Sequence, residues 1–308
     1  MSDLSDLAIR SPPPVDYVER VNRAIDHVTR NLAEPLQLEK VARVASFSPY
    51  HFHRVFRSVM GETLKDFVLR LRLERAVFLM ARAKRLRLTD IALECGFAAS
   101  SDFSRAFKAR YGVSPRSFDV AAHTHAGRLR LMSEVEDGHR LERLPPGQNP
   151  DGFEVRMQEV AARRVAYIRV LRPYEGDHVI AACERLQTWA RARGLSKGQW
   201  LGYQWDTPDV VPPEQCRYDV GLVVPDATPV GGEVSATGFP AMMVAEVTMA
   251  GGLDLETRAI DWLYGTWLPR SGYVPDHQPM FEAWDGEPFA HGMTEFHLRL
   301  HLAVGRGG

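Results

Sequence analysis

LEKVARVASFSPYHFHRVFRSVMGETLKDF, from Leu38 to Phe67, and LTDIALECGFAASSDFSRAFKARYGVSPRSF, from Leu88 to Phe118, are two copies of one unit. Val41, Ala42 and Ala45 recur as Ile91, Ala92 and Cys95 at an offset of 50. After one inserted residue, Phe52, Arg54, Phe56, Gly61 and Phe67 recur as Phe103, Arg105, Phe107, Gly112 and Phe118 at an offset of 51. Each copy is written as helix, tight turn, helix. Small apolar residues in the first helix let a second cross closely. Ser48 then offers an N-cap and Pro49 a first helical residue. Phe52, Val55, Phe56 and Val59 fall on one face at helical spacing, and Tyr50, His53, Arg54 and Arg57 on the opposite one. Gly61 suits the left-handed position that ends the helix. In the second copy Phe103, Ala106, Phe107 and Tyr111 point inward, Ser101, Ser104, Arg105 and Lys108 point outward, and Gly112 closes the helix. A helix with one apolar face and one cationic, hydroxyl-bearing face can enter a major groove. A solvated surface is the bland alternative, and the repetition of the polar stripe argues against it.

Between the copies, Thr63 and Asp66 form a capping-box-like pair that opens a helix running to about Arg82. Leu64, Phe67, Val68 and Leu71 line one side of it, and Leu69, Leu73, Val77 and Met80 another, as expected of a helix sandwiched between two units. Twenty residues span about 30 Å, close to the ~34 Å turn of B-DNA. One chain could thus set both recognition helices in successive grooves. Arg82, Lys84, Arg85 and Arg87 lie just beyond, as phosphate contacts or solvated charges.

Charge divides the chain in the same place. Residues 1–130 hold 22 Lys and Arg against 14 Asp and Glu, net +8, and the remainder holds 16 against 25, net −9. One half is suited to a polyanion. All six tryptophans (Trp189, Trp200, Trp205, Trp262, Trp267 and Trp284) lie in the acidic half, fit for a core or for a small-molecule pocket. Cys95, Cys183 and Cys216 are too few and too scattered for a disulfide framework or a thiolate metal site. His51 and His53, like His123 and His125, diverge on a helix. His297 and His301 share a strand face without a third ligand, so no metal and no cofactor is expected. No apolar run approaches the ~20 residues of a membrane span, and no signal peptide opens the chain, so a cytoplasmic location is the expectation.

Residues 16–120 resemble the DNA-binding domain of the AraC/XylS family over their whole length. Gly96-Phe97, Phe103-Ser104-Arg105, Phe107-Lys108, Gly112 and Ser114-Pro115 carry the resemblance. It implies a transcription regulator, activator or repressor, that contacts bases of double-stranded DNA through Tyr50, His53 and Arg54 in the first unit. In the second unit it implies Ser100, Ser101, Ser104 and Arg105. Ser48, Arg57 and Lys108 complete the expected set. Asp102 stands apart, since a carboxylate near phosphate is unfavourable unless it reads a cytosine amine.

Residues 121–152 pass from helix to linker and end in the Pro/Gly-rich LPPGQNPDG. From Phe153 strands and helices alternate: Arg164–Val170, a helix over Ile180–Arg193, WLGYQWDTPD and RYDVGLVVP. The order then recurs from MMVAEVTMAGG through ETRAIDWLYGTWL to PMFEAW and EFHLRLHLAV. The expected fold is therefore multidomain. An all-α double helix-turn-helix domain (16–120, after a tail over 1–15) precedes an α+β domain (153–308) of two strand-helix-strand-strand repeats, with a pocket at their pseudo-twofold axis. This half resembles the GyrI-like effector-binding domain through Ala166-Tyr167-Ile168, Gly202-Tyr203, Trp205-Asp206, Pro212-Pro213-Glu214, Arg217-Tyr218-Asp219, Trp267-Leu268-Pro269 and Pro279-Met280-Phe281-Glu282. The resemblance implies a small-molecule effector, aromatic or cationic, with Glu282 at the floor of an aromatic pocket. Tyr167, Tyr203, Trp205, Tyr218, Trp262, Trp267 and Trp284 are the candidate neighbours. Where relatives often carry a second acid on the last strand, this chain has Arg299, which could shift preference toward neutral or anionic ligands if it faced inward. The domain is expected to sense rather than to catalyse. Two alternatives stay open: a small hydrolase acting on electrophiles through a glutamate and an aromatic group, or an effectorless module contacting RNA polymerase or another protein.

Overall fold

The computed structural model describes residues 17–82, 86–135 and 143–306. The expected tail over 1–15, with Lys84 and Arg85, lies outside them. Seven helices come first: α1 (Tyr17–Arg30), α2 (Leu38–Val44), α3 (Pro49–Met60), α4 (Leu64–Arg82), α5 (Leu88–Glu94), α6 (Ser100–Tyr111) and α7 (Val120–Glu134). Helices α2–α3 and α5–α6 are the two repeated units. Ser48 accepts a hydrogen bond from the His51 amide, and Gly61 closes α3 in the left-handed region at φ 74°. Gly112 closes α6 in the same way at φ 79°. Thr63 and Asp66 form the expected cap at the start of α4, with the Thr63 hydroxyl 2.6 Å from the carboxylate.

Helix α4 touches three hydrophobic clusters. Leu64, Phe67 and Leu71 join Phe52 and Phe56 in the first unit. Leu73, Ala76 and Val77 join Phe103 and Phe107 in the second. Phe78 reaches the core of the following domain, edge-on to Tyr264 at 5.7 Å. The expected sandwich is therefore enclosed on a third side. Val210, Val211 and Cys216 from the second half belong to the same cluster as the second unit's core.

The second half contains β1 (Arg156–Val160), β2 (Arg163–Leu171), α8 (His178–Arg191), β3 (Trp200–Gln204), β4 (Arg217–Val224), β5 (Ser235–Phe239) and β6 (Met242–Gly251). It continues with α9 (Leu253–Trp262), a π-turn over Leu263–Trp267, α10 (Leu268–Ser271), β7 (Tyr273–Pro275), β8 (Met280–Trp284) and β9 (Phe296–Arg306). The strands form one antiparallel sheet in the order β1-β6-β9-β8-β3-β4-β2-β5, with β7 pairing β9. Strands β5 and β6 stand six places apart in that order, about 29 Å in a flat sheet. Pro240 and Ala241 alone join them, a reach of at most about 11 Å. The sheet must therefore curl. Tyr167, Tyr203, Phe239 and Phe281 pack inside the concave face, with Tyr203 stacked on Phe239 at 4.3 Å. Helices α8 and α9 cover the other face, over Ile168, Val220, Leu222 and Leu300.

The two halves are joined by buried ion pairs. Arg169 on β2 bridges Asp26 of α1 at 2.9 Å and Asp219 of β4 at 2.7 Å. The Tyr167 hydroxyl also donates to Asp26. On the other side Arg128 of α7 bridges Asp209 and Asp261, both at 2.8 Å. A lone buried arginine would be costly, and two carboxylates apiece offset its desolvation.

Candidate functional site

The outward stripes of α3 and α6 stay clear of the second half. Ser48, Tyr50, His53, Arg54 and Arg57 are exposed, as are Ser101, Arg105 and Lys108, while Ser100 and Ser104 are half-buried. Tyr50 is 74% exposed, far more than an aromatic ring needs for packing. Arg54 lies over its ring at 5.9 Å, and Arg105 pairs with Asp102 one turn away. Both arginines are held at the surface by a neighbour on their own helix.

A cavity of about 380 Å³ lies where the helix-covered face of the sheet meets α4. It falls in the size range of small-molecule sites. Strand alternation decides which residues reach it. Gly202 pairs with Glu282, and Gln204 with Tyr218 and Met280, so these share the helix-covered face. Tyr203 pairs with Asp219 and Phe281 on the concave face.

Of the expected aromatic neighbours, Trp205, Tyr218 and Trp284 line the cavity with Glu282. Four stand elsewhere. Tyr167 and Tyr203 point to the concave face, the parity that strand spacing imposes. Trp262 packs on Phe153 at 5.8 Å, and Trp267 stacks on Tyr273 at 6.1 Å. Phe281, next to Glu282 in sequence, also faces away from it. Arg299 pairs with Ala283 in register, on the face opposite Glu282. Its guanidinium donates to Gln199 at 3.0 Å and approaches Asp285 at 3.7 Å, so it leaves the cavity's charge untouched.

Glu282 is 3% exposed, so it is no rim carboxylate. It accepts hydrogen bonds from the Tyr218 hydroxyl at 2.6 Å, the Gln204 amide at 2.9 Å and the Trp284 indole at 3.2 Å. Three donors hold a carboxylate where water is excluded. Gly202 makes room for them. A Cβ there would lie 1.8 Å from the Tyr218 hydroxyl oxygen and 2.5 Å from Glu282 Oε2. Burial, then the charge of Glu282, raises the Tyr218 phenol well above its ordinary value, so it stays a donor.

The sequence analysis missed two parts of this site. The first is Glu256, in the first turn of α9, whose carboxylate accepts from the same Gln204 amide at 3.0 Å. The second is the wall supplied by α4, with Leu71, Glu74, Arg75 and Phe78 facing the cavity. The arginines around it are engaged: Arg217 with Asp206 at 2.8 Å, Arg128 as above, Arg75 with His277, and Arg82, a buried side chain rather than a phosphate contact or solvated charge, over the Tyr264 ring at 4.6 Å and 3.9 Å from Asp209. Among the described residues no group of three or more His, Cys, Asp and Glu side chains is placed to hold a metal ion. Nor is any helix long and apolar enough to cross a membrane.

Fold and site together define a pair of helix-turn-helix units fused to an α+β domain that holds a polar-floored cavity. Comparison with known proteins places both parts. A helix-turn-helix domain family matches residues 41–119, and the GyrI-like small molecule binding domain matches residues 153–299. A DNA gyrase inhibitor of Edwardsiella piscicida is 34% identical over 163 residues, 49% of this chain and 98% of that protein. The probable transcriptional regulator LumQ of Photobacterium leiognathi is 34% identical over 103 residues, 33% of this chain and 41% of that protein. Among solved structures, an AraC-type DNA-binding regulator from Chromobacterium violaceum is 27% identical, covering 32% of this chain and 86% of that chain, at a TM-score of 0.30. The HTH-type transcriptional activator AarP of Providencia stuartii is 33% identical over 105 residues, 34% of this chain and 77% of that protein, so this chain belongs to the AraC-type DNA-binding transcriptional regulators and carries a GyrI-like small-molecule-binding domain after its helix-turn-helix region.

Proposed function

We propose that this regulator senses an aromatic cation in the cavity floored by Glu282 and passes its occupancy to DNA through α4. The observation that carries the proposal is the cavity's composition: a buried carboxylate and the aromatic rings of Tyr218 and Trp284 on one side, the helix joining the two helix-turn-helix units on the other. Aromatic faces attract a cation by roughly 0.5–2 kcal/mol each. A desolvated carboxylate adds charge complementarity that packing alone would not need. Tyr50, His53 and Arg54 of α3, and Ser100, Ser101, Ser104 and Arg105 of α6, are the proposed base-reading groups, with Ser48, Arg57 and Lys108 beside them.

We also read the second half as two strand-helix-strand-strand repeats. The sheet supports this, because β6-β9-β8 and β3-β4-β2 run outward symmetrically from the β8–β3 pair. Gln204 and Glu282 lie on the two strands of that seam. Tryptophan fluorescence titration of the full chain tests the sensing role, using benzyltrimethylammonium and its uncharged isostere neopentylbenzene. Glu282→Gln should weaken the cation about tenfold or more and spare the neutral ligand, since it removes charge but little shape. Equal cation affinity in both proteins would assign Glu282 to the core instead.

A further inference from the structure

Two carboxylates meet at the floor of the cavity. Glu256 is 5% exposed and Glu282 3% exposed. The single Gln204 amide nitrogen donates to both, at 3.0 and 2.9 Å, so the two carboxylates converge on one atom. Two carboxylates held together away from water repel when both are ionised, which favours a proton on one of them. Glu282 already accepts from Tyr218, Trp284 and Gln204, whereas Glu256 accepts from Gln204 alone among the described residues. The better-solvated anion is therefore Glu282, and the proton belongs on Glu256.

We infer that Glu256 and Glu282 share one proton at neutral pH, and that a cationic ligand entering the cavity displaces this proton to solvent. The charge of the pair rises from −1 to −2 as the ligand brings +1, so the site's total charge is unchanged. No arginine or lysine forms a salt bridge with either group among the described residues. The groups facing them are Tyr218 of β4, Tyr174 before α8 and Cys183 of α8, with Glu74 and Arg75 of α4 on the opposite wall; burial holds the first three in their neutral forms and pushes the Glu74 carboxyl up to about 7. Arg217 is closed onto Asp206, and Arg70 onto Glu62 and Glu74. Burial, and then the neighbouring Glu282, pushes the Glu256 carboxyl well above its ordinary value. Position favours the exchange, because the first turn of α9 can stabilise the charge that Glu256 acquires.

The ligand half of this inference rests on the cation-sensing proposal, and the shared proton does not, so the two are tested apart. Infrared spectra of the ligand-free full chain at pH 7 should show a protonated-carboxyl stretch that Glu256→Gln lowers by one carboxyl, leaving any share from Glu74, which burial pushes up to about 7. Glutamine mimics the protonated acid in shape, so the fold should survive, and circular dichroism checks that it does. Benzyltrimethylammonium is then titrated calorimetrically in buffers of different ionisation enthalpy. Wild type should release close to one proton per cation bound, with affinity rising roughly tenfold per pH unit while the pair remains protonated. Glu256→Gln should release none and show a flat pH profile. A carboxyl signal that is missing, or unchanged in the variant, overturns the shared proton. Cation binding without proton release overturns the exchange. A cation that does not bind while the carboxyl signal stands contradicts the sensing proposal and the exchange together, and leaves the shared proton supported.

Discussion

At the scale of single residues, the clearest division is between charges the fold has closed and charges it has left available. Arg128, Arg169 and Arg217 are buried in bidentate or bridging pairs. Arg54 and Arg105 stand exposed on the outward faces of their helices. Each of these two should lose about 1–3 kcal/mol of specific DNA binding on change to alanine. Thermal unfolding should barely move, because neither side chain belongs to a core. Fluorescence anisotropy on a duplex selected by the chain from random sequence, read beside a melting curve, checks both halves of that expectation. Unchanged binding in both variants would remove the two-unit mode of DNA reading. The same scale explains why Tyr167 and Tyr203, two of the four expected cavity aromatics that stand elsewhere, missed the cavity. A tyrosine in an apolar strand reads alike on either face, and only register separates Tyr218 from Tyr203.

Among the elements, α7 does more than lead into a linker. Its Arg128 holds the segment that carries Asp209, and its Gly127 lies directly against that segment's backbone. A Cβ at Gly127 would fall 2.1 Å from the Asp209 carbonyl oxygen, and no flexible side chain can give way there. Gly127→Ala should therefore force α7 away from the segment and destabilise the chain by roughly 1–3 kcal/mol, lowering the melting temperature by a few degrees. A neutral result would mean that the two backbones separate freely. The helices and their caps were legible in the sequence because their signals are local: small residues, Ser48-Pro49, and glycine at each end. Most strands of the sheet were legible by alternation and turn residues. The contact between Gly127 and Asp209 was not, since it joins residues 82 apart by sequence number and depends on how one half docks on the other. Glu256 was hidden for a related reason. An acid in the first turn of a helix is unremarkable until a strand brings Glu282 beside it.

Across the whole molecule, the charge split between the halves signalled two roles, and the fold places them back to back. The stripes proposed to read DNA face outward, while α4 and α1 are held from behind by the sheet domain. Val210, Val211 and Cys216 complete the second unit's core, so the halves share structure as well as sequence. That sharing gives a ligand a route to DNA. The proposed cation, seated against Glu282, would touch a cavity whose opposite wall is α4, the helix that joins the two helix-turn-helix units. Linkage then requires that DNA change the ligand's affinity by the same factor that the ligand changes DNA's. The decisive measurement is the affinity of the full chain for its selected duplex with and without saturating benzyltrimethylammonium, repeated in Glu282→Gln. The account predicts a shift of roughly five-fold or more in wild type, in either direction, that the variant loses at the same ligand concentration. A cation that binds wild type tightly yet leaves its DNA affinity unchanged would contradict it.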